Sequence, residues 1–266
     1  MAIITKIAVQ QKNTNRYNLY LDEAYAFSVD EAVLIRFALK KGKELTDFDI
    51  TQIQYEDDIR KAFNEAVHFL SFRMRSEGEI KKHLAKKEWN EPIIGAVLQT
   101  LREHQYVDDL EFAKAYVRTQ VNTGKKGPQI IKQELLQKDV QNSYIENALT
   151  LYKTEDQILH AIQLGNKHAE KNKHLSEKIL KQKLEQFLLT KGFSFDIISI
   201  AMEEIHFEKK DEEEWLSLVK QAEKADRKYQ NLEGFAYKQK MKQALFRKGF
   251  SLELIDRYID EKENRC

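Results

Sequence analysis

Hydrophobic and polar positions alternate over the first 30 residues and then change period. Ile3, Ile7 and Val9 share one side of a first alternating run, and Tyr17, Leu19 and Leu21 share one side of a second; Tyr25, Phe27 and Val29 form a third. The polar segment Gln11-Lys12-Asn13-Thr14-Asn15 between the first two runs is of the kind that closes a hairpin, so a small antiparallel sheet is predicted here. From Asp30, an N-cap residue, the period becomes helical, with Val33, Leu34, Phe37 and Ala38 on one face and Gly42 as the stop. Beyond Asp47 almost every segment repeats at 3.6 residues.

The helical part repeats itself. Residues 183–198 and 240–255 correspond at every core position with one fixed offset, through Leu184/Met241, Leu188/Leu245, Phe193/Phe250 and Ile198/Ile255. Fainter copies run through Leu135, Val140, Ile145 and Leu149 and through Leu84, Trp89, Ile94 and Leu98. A spacing of roughly 50 to 57 residues marks a stacked array. In the last two copies a helix ends at Lys191 or Lys248, Gly192 or Gly249 supplies a left-handed residue, and Ser194 or Ser251 caps the next helix. Asp139 and Glu88 stand where the other copies have glycine, and the Glu88 turn is expected to be looser. Each copy has an earlier helix, and Ser76-Glu77-Gly78-Glu79, Asp108-Asp109-Leu110-Glu111 and Gly127-Pro128 open further helices. The expected fold is therefore mainly α: tandem three-helix repeats in an elongated curved array behind a small β-rich amino-terminal region. The expected boundaries are 1–47 for the β-rich cap with one helix, then repeats over 48–106, 107–153, 154–206 and 207–266.

Composition narrows the function classes. Nine Gly and two Pro are too few for a long multistranded β protein or for a phosphate-cradling loop, and neither a GxSxG elbow nor an HExxH pair occurs. No catalytic reaction and no cofactor are expected. The seven histidines are scattered, and His168 and His174 do not share a helical face, so no metal site is expected either. Cys266 is the single cysteine, which excludes an intrachain disulfide and suits a reducing compartment. Residues 1–10 have no secretory signal pattern and no run is apolar enough to span a membrane; a soluble, cytoplasmic protein is expected. Asp108-Asp109 is a helix cap rather than a paired-carboxylate site, and Trp89 and Tyr106 are expected in the core.

Charge is balanced overall, 44 Lys and Arg against 43 Asp and Glu, but clustered locally. Arg73, Arg75, Lys81, Lys82, Lys86 and Lys87 surround the first repeat's capping box, and Lys125, Lys126, Lys132 and Lys138 occupy the same places in the second. Such a surface can follow nucleic-acid phosphate or a partner's carboxylates. Interspersed Glu77, Glu79 and Glu134 leave an ordinary solvated face equally weighted on charge alone. Lys171, Lys173, Lys178, Lys181 and Lys183 make a third basic stretch and Asp211-Glu212-Glu213-Glu214 an acidic one; both are read as ordinary exposed helix faces.

Taken in order, Arg73-Met74-Arg75-Ser76 with Glu79 and Leu84, Tyr106-Val107-Asp108-Asp109 with Phe112-Ala113, and Gly127-Pro128 with Ile131, Glu134 and Leu135 resemble the RecX family of bacterial recombination regulators. The fourth repeat resembles the longer form found in Firmicutes; Asp139, where the family commonly has glycine, departs from it. The resemblance implies a protein without a reaction of its own that binds the RecA recombinase filament and its DNA, single-stranded first and double-stranded second. It implies inhibition of ATP hydrolysis, strand exchange and co-protease activity in DNA repair and recombination. The binding role falls on Arg73, Arg75, Lys81, Lys82, Lys125, Lys126 and Lys132; reversing Lys81, Lys82, Lys125 and Lys126 to Glu is expected to weaken binding while leaving helicity and melting temperature nearly unchanged. A monomer is expected, since stacking already covers each repeat's apolar face. A DNA-binding helical repeat without a recombinase partner, or a helical scaffold for another protein, remain the alternatives.

Overall fold

The computed structural model describes residues 1–11, 13–207 and 209–263; Lys12 of the anticipated hairpin turn and Cys266 lie outside the described residues. The chain divides into two compact units, one formed by Met1–Ala115 with Leu135–Ile145, the other by Tyr116–Glu134 with the chain from Glu146 onward.

In the first unit, β1 (Ala2–Val9), β2 (Arg16–Leu21), β3 (Ala24–Asp30) and β4 (Glu44–Leu45) form an antiparallel sheet in the order β3-β2-β1-β4. The inward face of β1 differs from the alternation expected above. A register irregularity between Ile4 and Lys6 turns Ile4 and Ile7 toward the core and leaves Ile3 outside, 43% exposed; Val9, the last residue of the strand, is exposed as well. One extra residue in a strand moves every later side chain to the other face. The helix capped by Asp30, α1 (Glu31–Arg36), is also shorter than expected. Ala38, at φ 45°, ends it so that Leu39 can enter the sheet's core; Gly42, at φ 87°, instead turns the chain into β4 and donates its amide to the Ile4 carbonyl.

A Thr46–Asp49 capping box opens α2 (Asp47–Leu70), whose first half covers the sheet through Ile50 and Ile53. Buried Asp57 accepts from Arg16 at 2.7 Å and from the Asp30 amide at 2.7 Å, joining helix to sheet. The second half, with α3 (Glu77–Lys86) and α4 (Glu91–Glu103), buries Ala62, Ala66, Ile80, Leu84, Ile94 and Val97.

The chain continues through α5 (Asp109–Thr123), α6 (Pro128–Gln137) and α7 (Asn142–Leu149). In the second unit, α8 (Thr154–Lys171), α9 (Glu177–Thr190) and α10 (Phe195–Glu204) share one core, and α11 (Asp211–Tyr229), α12 (Gly234–Arg247) and α13 (Leu252–Glu263) share another. The paired positions read from the repeat, Leu184/Met241, Leu188/Leu245, Phe193/Phe250 and Ile198/Ile255, are all buried. Tyr106, in contrast, is 55% exposed and leans on Phe63, because the chain leaves α4 through a left-handed Gln105 just before it.

The turn between the second and third helices is the same in all four copies. The left-handed residue is Glu88, Asp139, Gly192 or Gly249, and the next residue's amide returns to the carbonyl of Leu84, Leu135, Leu188 or Leu245. The Glu88 turn is as tight as the others, contrary to expectation. Its exposed side chain tolerates φ 67° at a cost of about 1 kcal/mol, which the surrounding core offsets.

The turns of the last three copies dock on the N-termini of second helices. In the first unit the Ser76 hydroxyl, which caps α3 by accepting from the Glu79 amide, donates to the Lys138 carbonyl at 2.8 Å. In the second unit the Gly127 amide donates to the Lys191 carbonyl at 2.7 Å, and the Ser176 hydroxyl donates to the Lys248 carbonyl at 2.5 Å. Each contact pairs the carbonyl-rich end of one helix with the amide-rich end of another, so orphan groups and helix dipoles are satisfied together. A Cβ on Gly127 would meet the Gly192 carbonyl and come within 2.6 Å of the Phe193 amide nitrogen. Gly127→Ala is expected to lower stability by about 1 to 3 kcal/mol. Gly95→Ala, in the middle of α4 with nothing within 4 Å, should raise it by up to about 1 kcal/mol. Denaturant unfolding of the two variants checks the contrast; equal effects would show that the turns are not closely docked.

Candidate binding surface

The basic residues singled out above begin where α2 gives way to α3. Arg73 forms a 2.7 Å ion pair with Glu79, and the Arg75 guanidinium lies 4.0 Å from the centre of the Phe69 ring and 3.9 Å from Glu79. Lys138 reaches the same carboxylate at 3.0 Å. Glu79 is also the return half of the Ser76 capping box. Burial pushes its carboxyl upward, but hydrogen bonds from Arg73, Lys138 and the Ser76 amide prevail and hold it at about 2, against 4.5 when free.

Farther along α3, Lys81 pairs with Glu91 at 3.0 Å, and Lys82 pairs with Asp139 at 2.9 Å while donating to the Gln137 carbonyl. Lys82 thus holds the turn after α6 against α3. Asp109, the first residue of α5, ties that helix to the start of α3, accepting from the Glu77 amide at 2.9 Å. The sequence pointed to Asp108 as the cap of α5, and Asp108 does accept from the Leu110 and Glu111 amides. The role of Asp109 was not legible, because its partner lies 32 residues away. In the second unit Glu214 does the same for the Glu177 amide at 3.2 Å. Burial raises the pKa of both carboxyls.

Lys126 pairs with Glu134, which also accepts from the Tyr116 hydroxyl, and Lys132 pairs with Glu146, both at 2.5 Å. Six of the seven sequence-derived cations therefore lie within 4 Å of a carboxylate of this chain. Lys125 is the exception among the described residues: it is exposed and has no acidic partner. It lines a groove of about 430 Å³ together with Lys167, Lys171 and Lys191. Lys167 and Lys191 were not in the basic clusters read from sequence; the four-residue spacing of Lys167 and Lys171 on one helix was the available signal. Among the described residues, no group of His, Cys, Asp or Glu could hold a metal ion, and no helix is long and apolar enough to cross a membrane.

Three-helix repeats that share one recurrent turn define the class of helical-repeat proteins. Family models sharpen this. The RecX N-terminal domain matches residues 2–46, the first three-helix domain 62–101 and the second 108–149, while the third matches twice, at 155–202 and 211–259. The chain is 48% identical to the regulatory protein RecX of Bacillus subtilis over 263 residues, covering 99% of this chain and 100% of the relative. It is 47% identical to the Bacillus velezensis protein of that name with the same coverage. A crystal structure of regulatory protein RecX superposes with TM-score 0.70 at 40% identity, covering 76% of this chain and all of the other. The chain belongs to the RecX family, and its role is that of a regulatory protein.

Two outcomes follow from the ion pairs. Because the Glu79 pKa is lowered on folding, its contribution is complete above the unfolded value and disappears as pH falls from 4.5 toward 2. Wild-type protein should lose on the order of 2 kcal/mol more than Glu79→Gln between about pH 6 and pH 2.5, with parallel melting curves refuting it. Both pairs are exposed, but Lys82→Glu also loses the bond to the Gln137 carbonyl that holds the turn, and is expected to lower the melting temperature by a few degrees, whereas Lys81→Glu should change it little. Lys82 is therefore set apart from Lys81, Lys125 and Lys126 in the expectation that these lysines can be reversed with the melting temperature nearly unchanged.

Proposed function

We propose that this protein binds the RecA recombinase filament on DNA and lowers its ATPase, strand-exchange and co-protease activities. The observation that carries the proposal is the end-to-end match to RecX domain models, amino-terminal domain and all four three-helix repeats included. Arg73, Arg75, Lys81, Lys82, Lys125, Lys126 and Lys132 are the proposed contacts. Exposed pairs such as Lys81–Glu91 hold their partners weakly, so a filament carboxylate or phosphate can replace Glu91 at little cost. Lys82 contributes mainly by holding the turn that presents its neighbours. No reaction and no cofactor are part of this proposal.

The acid-free groove around Lys125 favours a second reading, a DNA-binding repeat protein that needs no recombinase. Titrating the protein into RecA hydrolysing ATP on saturating single-stranded DNA separates the two. Inhibition at substoichiometric ratios is expected. An unchanged rate, with DNA binding demonstrated separately, would leave the second reading in its place.

A further inference from the structure

We propose that the groove between the turn joining α5 to α6 and helices α8 and α9 binds single-stranded nucleic acid along its phosphodiester backbone. The groove lies wholly within the second unit. Gly124, at φ 58°, leaves room for no more than a hydrogen where it meets the His160 ring of α8, and that close approach sets Lys125 beside α8. Lys167 and Lys171 sit one turn apart on α8, and Lys191 stands at the end of α9. No Asp or Glu lines the groove, and none of these four lysines has a carboxylate within 4 Å among the described residues. That contrasts with Arg73, Arg75, Lys81, Lys82, Lys126 and Lys132, each of which has a carboxylate of this chain within 4 Å.

An aromatic ledge lies among the lysines. The Phe187 ring is stacked on His168 with centroids 4.2 Å apart, and the Lys191 ammonium lies 5.3 Å from the Phe187 centre. Burial first, then the charges of Lys183 and Lys171, push His168 below its ordinary pKa. Four lysine point charges without an arginine fork suit sequence-independent phosphate contact, and the ledge offers a surface to an unpaired base. A phosphodiester chain brings one negative charge per nucleotide continuously. An acidic peptide would need side chains spaced to match.

This site deepens the reading of the protein as a filament-DNA binder and rests on it, but the test contains no recombinase. Fluorescence anisotropy of labelled oligo(dT), about 30 nucleotides long, is followed against salt for the wild type and for the combined Lys125→Gln, Lys167→Gln, Lys171→Gln and Lys191→Gln variant. Each lost phosphate contact removes about 0.7 from the slope of log affinity against log salt. The variant should bind at least about tenfold more weakly near 0.1 M salt, with a slope smaller by about 2 to 3 and an unchanged circular dichroism spectrum. The corresponding Lys→Arg variant should retain binding. Equal affinity and slope in the Gln variant, or loss of binding in the Arg variant to the same extent, overturns the site. Wild-type binding to poly-Glu and not to oligo(dT) would overturn it in favour of an acidic protein. Failure of the recombinase reading is seen separately, as an unchanged RecA ATPase rate with wild-type protein.

Discussion

The structure depends on the contact between a helix–turn–helix corner and the N-terminus of a second helix. A helix begins with unpaired amides and ends with unpaired carbonyls, and in water both are satisfied by solvent. Here the carbonyls of Lys138, Lys191 and Lys248 meet the caps Ser76, Gly127 and Ser176. Ser76 and Ser176 use both functions of one hydroxyl, accepting from their own helix and donating to the docked turn. Such a contact is specific because an unpaired buried hydroxyl or carbonyl costs about 1 to 3 kcal/mol. Apolar packing alone would let the repeats slide.

Charge then reinforces the same joints. Asp109 and Glu214 each reach the first amide of a docked helix, and Lys82 grips the turn that carries Asp139. Asp139 is thus more than a substitute for glycine: its left-handed backbone shapes the turn and its carboxylate receives Lys82. Many charged residues of a sequence with balanced composition are consumed in this way. Those left over, with Lys125, Lys167, Lys171 and Lys191 foremost, are the ones available to a partner.

The duplicate match to one three-helix domain model agrees with the internal likeness of residues 183–198 and 240–255. Adding a repeat of this kind extends a helical-repeat protein without rebuilding it, because each new unit brings its own core and its own docking turn. The regulatory role belongs to the family.

The helices, their caps and the repeat were legible because they rest on local rules. Ser76 with Glu79, Pro128 at a first helical position, and Gly192 and Gly249 at left-handed positions need only their near neighbours. So did the β-rich start and the buried faces of the later repeats. The inward face of β1 was not legible, since a single irregularity after Ile4 reverses the alternation and nothing in the residues on either side announces it. Nor was the fate of the basic clusters. Arg73, Lys82, Lys126 and Lys132 attract phosphate or carboxylate equally well by composition, and only the folded chain places Glu79, Asp139, Glu134 and Glu146 against them. The sequence by itself determined the helices, their ends and the repeated core, because backbone conformation and amphipathic period act over a few residues. Tertiary structure alone decided which lysines are spent in joints and which gather unpaired in one groove, because Coulomb partners are chosen by distance in space.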